Sequence, residues 1–182
     1  MPTYSDDLIR SILRSVKTIA MVGASGNEMR PSYFAMKYLL AKGFVIHPIN
    51  PGMAGKDILG QKVYASLKDV PAPVDMVDIF RGSDAAPAIV GEALAEKDRL
   101  GVKVIWMQLG LINEEAAAAA RGAGLTVIMD RCPKIEYGRL SGEIGWVGVN
   151  RKLIDNRKSA LFGKGGSLKR PDGKPRGTDK AD

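Results

Sequence analysis

The fold is decided by residues 17–44, KTIAMVGASGNEMRPSYFAMKYLLAKGF. The apolar run at residues 17–22 predicts a buried strand, and Gly23 opens a loop directly after it. The next segment reads as a helix, because Pro31 lies near its first turn and Gly43 follows its last residue. A strand, a glycine loop and a helix in this order are typical of the first unit of a parallel α/β fold.

Short apolar runs alternate with helix-compatible segments along the chain, which predicts a parallel sheet covered on both faces. We expect an α/β fold with a single three-layer, Rossmann-like, doubly wound parallel sheet of five to six strands. The predicted strands cover residues 17–22, 44–49, 62–66, 74–80, 102–108 and 125–130. The predicted helices cover residues 5–15, 30–43, 83–101 and 112–124, with Ser5 and Asn113 as N-caps. Ligands of such sheets bind at the carboxyl ends of the strands, where the strand order reverses.

The composition predicts one soluble globular domain. The 182 residues are 45% hydrophobic and 26% charged, which is the ordinary range for such domains. We expect a cytoplasmic location and no membrane contact, because there is no signal-peptide pattern and no apolar run approaches the roughly 20 residues that span a bilayer. Cys132 is the only cysteine in the sequence, so an intrachain disulfide is excluded and a reducing compartment fits.

The net charge of +7 is concentrated near the C-terminus, where residues 150–182 carry 10 Lys and Arg against 4 Asp and Glu. We therefore expect a domain at residues 1–149 and a basic extension at residues 150–182, which is disordered from about residue 163 because it has little apolar surface to bury. The extension is interpreted as solubilising, or as a nonspecific contact with polyanions or a partner. No array of basic and aromatic residues indicates specific binding of nucleic acid.

The loop after the first strand predicts a phosphate site. Gly23 and Gly26 allow close approach of the backbone, and the helix near Pro31 directs free N–H groups and its positive end at the loop. Further polar donors are supplied by Ser25, Arg30 and Ser32.

A nicotinamide dinucleotide site is disfavoured by the same region. Such a site needs G-x-G-x-x-G and an acidic residue after the second strand to bind the ribose diol. The loop reads G-A-S-G-N-E, and the second strand ends at the neutral Asn50 between two prolines. An NAD(P)-binding oxidoreductase or redox sensor stays an alternative.

Several motifs, in this order, resemble the bacterial CoA-binding-domain proteins of the YccU type. The motifs are VGAS (22–25), RPSY (30–33), HPINPG (47–52), VDMVDIFR (74–81), VIWMQLGLINEEA (104–116) and VIMDRCPKIEY (127–137). The resemblance covers about residues 8–140. It implies a Rossmann-like fold related to the CoA-binding domain of the succinyl-CoA synthetase alpha subunit, with coenzyme A or acyl-CoA as the nucleotide ligand.

The resemblance also implies which residues bind each part of the ligand. The CoA phosphates would be bound by Gly23, Ala24, Ser25, Arg30 and Ser32. The adenosine part and its ribose phosphate would lie by Asn50, Pro51 and Lys56. The pantetheine or pyrophosphate would be flanked by Phe80 and Arg81, over a floor made by Gln108, Leu109 and Gly110. The positive charges of Arg30, Lys56 and Arg81 suit a ligand that carries several phosphates.

The sequence names no catalytic residue and no metal site. His47, the only histidine, lies inside a predicted strand and is interpreted as a packing residue. Cys132 lies between Arg131 and Lys134, whose charge favours the thiolate. Because no histidine is close to it in sequence, we interpret Cys132 as a structural or incidentally redox-sensitive thiol, with a mixed disulfide to CoA as the alternative. One His and one distant Cys form no recognisable zinc ligand set.

The carboxylates are also given structural interpretations. Asp130 and Glu136 are expected to form ion pairs with nearby basic residues rather than a catalytic pair. Asp75 and Asp78 are expected to face opposite sides of a strand, because their spacing is odd. Trp106 and Met107 are predicted to lie in the core.

The leading hypothesis is therefore a stand-alone CoA-binding module or sensor without catalytic residues of its own. The alternatives are the NAD(P)-binding protein above, an accessory part of an acyl-CoA synthetase that works with separate subunits, and a nucleic-acid role for the basic extension. A protein partner or a homodimer is compatible with each of them.

Overall fold

The computed structural model describes residues 2–142. The predicted basic extension at residues 150–182, and the disorder expected from about residue 163, lie outside the described residues. In chain order the strands are β1 (Thr18–Val22), β2 (Val45–Ile49), β3 (Asp57–Ile58), β4 (Gln61–Lys62), β5 (Met76–Ile79), β6 (Val104–Met107) and β7 (Thr126–Ile128). The helices are α1 (Asp6–Ser15), α2 (Pro31–Ala41), α3 (Ala86–Ala95), α4 (Lys97–Leu100), α5 (Glu114–Gly122) and α6 (Pro133–Leu140).

The main sheet has five parallel strands in the order β2-β1-β5-β6-β7. From β1 the chain first adds β2 on one side and later adds β5 on the other side, so the order reverses between β1 and β5. Loops that leave these two strands in opposite directions open a crevice at their carboxyl ends. The predicted doubly wound, Rossmann-like α/β class is confirmed.

The predicted strand at residues 62–66 is wrong as a member of this sheet. Only Gln61–Lys62 is extended, and it pairs with Asp57–Ile58 in a small antiparallel hairpin. After that, Tyr64 makes one isolated bridge to Ile49 at the edge of β2. The chain then turns at Ser66, whose backbone N–H and hydroxyl both bond to the Asp69 carboxylate. Because this capped turn ends the pairing after a single residue, the sheet has five strands rather than six.

The helices cover both faces of the sheet. Small side chains of α3 and α5 pack on one face over β-strand residues such as Val77 and Ile105, while α1, α2 and α6 pack on the other face over Met76 and Trp106. Trp106 and Met107 are both fully buried, as predicted, on opposite faces of β6.

The predicted helix boundaries are largely confirmed. The Ser5 hydroxyl accepts from the Leu8 N–H at 3.2 Å, and the Asn113 side chain accepts from the Ala116 N–H at 2.9 Å, as expected of N-caps. The segment predicted as one helix at residues 83–101 is divided into the short turn Ser83–Ala85, α3 and α4. Helix α6 was not predicted. None of the described helices has the length and apolar character that a membrane crossing would require.

Candidate functional site

A cleft of about 810 Å³ lies at the carboxyl edge of the sheet, where the strand order reverses. We call this site the cleft. Its walls are the loop at residues 23–30, called the first loop below, and the N-terminal ends of α2 and α6. The lining residues are Gly23, Ala24, Ser25, Met29, Arg30, Pro31, Ser32, Phe34, Ala35, Asn50, Phe80, Arg81, Gln108, Leu109, Leu111, Cys132, Lys134 and Ile135.

Three of the predicted binding residues do not line the cleft. Pro51 begins a short 3-10 turn after β2, and Lys56 is exposed in the turn before β3. The Gly110 N–H donates to the Asp130 carboxylate at 2.8 Å, which ties the loop after β6 to the end of β7. The other predicted residues, from Gly23 to Gln108, are brought together around one space.

Gly23 joins the ends of three strands at the base of the cleft. Its N–H donates to the Ile49 carbonyl at 2.9 Å, and its φ of +86° lies in the left-handed region. A Cβ at this position would lie 2.5 Å from the Phe80 carbonyl oxygen, so only glycine fits. At Gly26, by contrast, the nearest atom to a Cβ would be the flexible end of Met53, at 3.0 Å.

The first loop is held by its own side chains and by Asn50. The Ser25 hydroxyl accepts from the Asn27 N–H at 3.1 Å, and the Asn27 side chain accepts from the Met29 N–H at 2.9 Å. The Asn50 amide donates to the Ala24 carbonyl at 2.8 Å, and its oxygen accepts from the Gly52 N–H at 3.0 Å. Asn50 therefore positions both the first loop and the turn after β2. This structural role was not expected from the sequence, which indicated only a contact with adenosine.

The N-terminus of α2 opens toward the cleft. Arg30 occupies the N-cap position but its side chain makes no capping bond, and the first turn has no acidic residue. The positive end of this 11-residue helix is therefore left for an anion, next to the buried Ser32.

Three basic side chains lie around this helix end. The side chains of Arg30 and Arg81 are exposed at the cleft. Lys134 faces them from the first turn of α6, with its Nζ 5.9 Å from the centre of the Phe34 ring. Cationic groups that surround a helix N-terminus favour a multiply charged anion.

A buried carboxylate lies beneath the floor of the cleft. Asp78 is fully buried, and its Oδ1 accepts from the Gln108 Nε2 at 2.8 Å. Its Oδ2 has no hydrogen-bond partner among residues 2–142. Burial raises the pKa of Asp78 to about 7, and the bond from Gln108 lowers it only in part. Asp75 precedes β5 and its carboxylate accepts from the N–H groups of Lys17 and Thr18, so it does not pair with Asp78.

Burial outweighs the charge of Lys134, which lowers the pKa of the Cys132 thiol as expected, and the net change is an increase. Cys132 lines the cleft but is only 8% exposed, and burial raises the pKa of its thiol. The negative charge of Asp78 raises this pKa further, while the backbone N–H groups of Ile135 and Lys134 lower it in part. The guanidinium of Arg131 lies instead 3.9 Å from Asp130 and 3.8 Å from Glu136.

Glu136 and His47 do not line the cleft. Glu136 pairs with Arg139 at 2.7 Å, which confirms ion pairing rather than a carboxylate pair with Asp130. His47 is half-buried outside the cleft, with its ring edge-on to Tyr64, and burial lowers its pKa. Within residues 2–142, no group of three or more His, Cys, Asp or Glu side chains is placed to hold a metal ion.

Helix α6 forms one wall of the cleft, which the sequence patterns did not predict. Cys132, Lys134 and Ile135 reach the cleft because the Trp106 indole N–H donates to the Arg131 carbonyl at 2.7 Å and fixes the start of this helix. A signal was present, since Pro133 at the first helical position and Glu136 in the first turn are typical of a helix start.

The chain is similar in sequence and fold to several known proteins. Residues 17–138 match the family described as CoA binding domain. The chain is 40% identical over 129 residues to the uncharacterized protein YneT of Bacillus subtilis, covering 71% of this chain and 91% of that protein. A hypothetical protein from Pyrococcus horikoshii OT3 superposes with a TM-score of 0.70 at 37% identity, covering 75% of this chain and 92% of the other.

A third relative is a much larger enzyme. The chain is 38% identical over 90 residues to acetate–CoA ligase II (ADP-forming) of Archaeoglobus fulgidus. This match covers 48% of the chain but only 12% of the ligase.

Proposed function

This chain belongs to the CoA binding domain family, and we propose that it binds coenzyme A or acyl-CoA as a stand-alone module or sensor. The observation that carries the proposal is the cleft itself, in which an uncapped helix N-terminus and three basic side chains face one space. A helix end of this kind suits phosphate oxygens, and the surrounding cations suit a ligand with several of them.

Each part of the cleft has a proposed task. The backbone of the first loop and the N-terminus of α2 bind a phosphate group, which Gly23 permits by its lack of a side chain. Arg30 and Arg81, with Lys134 opposite, neutralise the remaining phosphate charge. The less polar pantetheine arm lies along the floor, beside Phe80 and the amide of Gln108.

The proposed role is binding without chemistry. The only histidine lies outside the cleft, and burial raises the pKa of the cleft thiol of Cys132, which disfavours the thiolate. The match to the acetate–CoA ligase favours one other candidate, a CoA-binding part that works with separate synthetase subunits. Since the matched region is 12% of that ligase, most of the ligase chemistry would then have to come from other chains.

CoA is expected to raise the melting temperature of the purified protein, whereas NAD and NADPH are not. At about 100 times the dissociation constant, a ligand adds about 2.7 kcal/mol to the free energy of unfolding. For a protein of this size, that corresponds to an increase of roughly 5–10 °C. Differential scanning fluorimetry measures the shift, and NADPH is the matched control because it also carries several phosphates. Equal or greater protection by NADPH would favour the oxidoreductase alternative.

Removal of two cleft charges is expected to weaken CoA binding. In the double variant Arg30→Gln, Arg81→Gln, two charge-assisted contacts to phosphate are lost, and the dissociation constant should rise about tenfold or more. Isothermal titration calorimetry measures the change at low ionic strength. The control is Arg121→Gln, which removes an exposed positive charge from α5 on the other face of the sheet. Equal affinities of the double variant and the control would contradict the proposed phosphate contacts.

A further inference from the structure

Large apolar side chains are exposed at the opening of the cleft. Residues 2–142 expose seven large hydrophobic side chains, and four of them line the cleft. We call these four the apolar rim: Met29 at 82% exposure, Leu109 at 58%, Phe34 at 49% and Ile135 at 44%. Single exposed apolar residues are common, but a group of them around one concave site indicates a surface that a ligand or partner covers.

The apolar rim comes from separate parts of the fold. Met29 belongs to the first loop and Phe34 to α2, whereas Leu109 follows β6 and Ile135 lies in α6. The rim is therefore assembled at the cleft from four separate segments and is not a stripe along one helix. Its members line the same cavity as the phosphate-binding groups of the first loop, so the polar and apolar surfaces belong to one site.

We propose that the apolar rim holds the acyl chain of an acyl-CoA, so that the protein prefers CoA thioesters of medium-length aliphatic acids to free CoA. This inference rests on the proposed function. The acyl chain is covalently part of the ligand whose phosphates bind in the same cleft. It can therefore cover the apolar rim while the rest of the ligand stays bound. A protein seated on the rim would instead close the opening through which the nucleotide enters.

The test is a calorimetric series with CoA, acetyl-CoA, butanoyl-CoA and octanoyl-CoA, each below its micelle concentration. Each methylene that is removed from water strengthens binding, so the affinity should rise with chain length. Since the rim is open on one side, only part of that gain is expected, and octanoyl-CoA should bind about tenfold more tightly than acetyl-CoA.

Two double variants test whether the apolar rim causes the dependence of affinity on acyl chain length. In Leu109→Ser, Ile135→Ser, the ratio of the dissociation constants of acetyl-CoA and octanoyl-CoA should fall about fivefold. The control is Leu8→Ser, Val45→Ser, which changes two side chains of 39% and 50% exposure outside the cleft and should keep the ratio. The ratio is used because it cancels any general loss of nucleotide binding.

The outcomes separate this inference from the proposed function. If CoA binds and the affinity is the same at all chain lengths, the acyl site is wrong and the CoA-binding function stands. If both double variants lower the ratio equally, the rim is not the site of the effect. If the rim variant converts a ligand-free dimer into a monomer by light scattering, the rim is a surface for a second copy and the acyl proposal falls. If no CoA compound binds, the proposed function itself falls.

Discussion

The free energy of unfolding is expected to fall by about 4 kcal/mol between about pH 4 and pH 7 because of Asp78. Burial raises the pKa of this carboxyl from its ordinary value of 3.8 to about 7 in the folded protein. Between these two values, the unfolded chain has released the proton and the folded chain still holds it. The folded state therefore binds more protons, and its stability decreases as the pH rises, until both states are ionised above about pH 7.

Urea denaturation across this pH range measures the effect, with Asp78→Asn as the variant. The amide keeps the shape and an oxygen that can accept from Gln108, but it cannot ionise. The variant should lose the descending slope and should be more stable than the parent by about 2 kcal/mol or more at about pH 8, after the cost of burying its own N–H groups. Burial lowers the pKa of His47, so its titration makes the stability rise with pH just below pH 6.5. This contribution is the same in the parent and the variant. If the free energy of unfolding depends on pH in the same way in the parent and the variant, the raised pKa of Asp78 is contradicted.

Gly23→Ala is expected to destabilise the protein by about 3 kcal/mol and to weaken CoA binding. Part of the loss, about 1–2 kcal/mol, is the cost of a left-handed backbone for a residue with a Cβ. The rest arises because that Cβ would lie 2.5 Å from the Phe80 carbonyl oxygen, which forces the ends of β1 and β5 apart. Chemical denaturation measures the first effect and calorimetry with CoA the second.

Gly43→Ala is the matched control for this variant. Gly43 also has a left-handed backbone, with a φ of +83°, but a Cβ there would meet nothing within 4 Å. Its substitution should cost about 1 kcal/mol and leave CoA binding unchanged, since only the backbone preference is lost. Equal losses of stability in the two variants would show that the close contact between Gly23 and Phe80 has no energetic role.

The sheet could be predicted from the sequence because its strands are buried on both faces. Runs such as residues 19–22 and 104–107 are apolar throughout, and glycine or polar residues separate them from the helices. The place of the cleft followed from the same pattern, since parallel strands carry their ligands at the carboxyl ends. The positions of Gly23, Arg30 and Arg81 after these strands therefore predict that they line the cleft, as they do.

The features that were missed depend on contacts between distant segments. The role of Asn50 depends on the carbonyl of Ala24, which is 26 residues away in the chain. The environment of Asp78 depends on the amide of Gln108, which is 30 residues away in the chain. The resemblance implies a contact between Lys56 and the ribose phosphate, but Lys56 is exposed before the β3–β4 hairpin and does not line the cleft.

The hydrogen bonds of Ser25, Asn27 and Asn50 have a consequence for the cost of ligand binding. A disordered loop that closes on a ligand loses conformational entropy, which costs about 1–2 kcal/mol for each residue that becomes fixed. The first loop is already folded on itself and tied to β2 by these bonds. Most of that entropic cost is therefore met when the protein folds, and a few contacts to phosphate are enough for useful affinity.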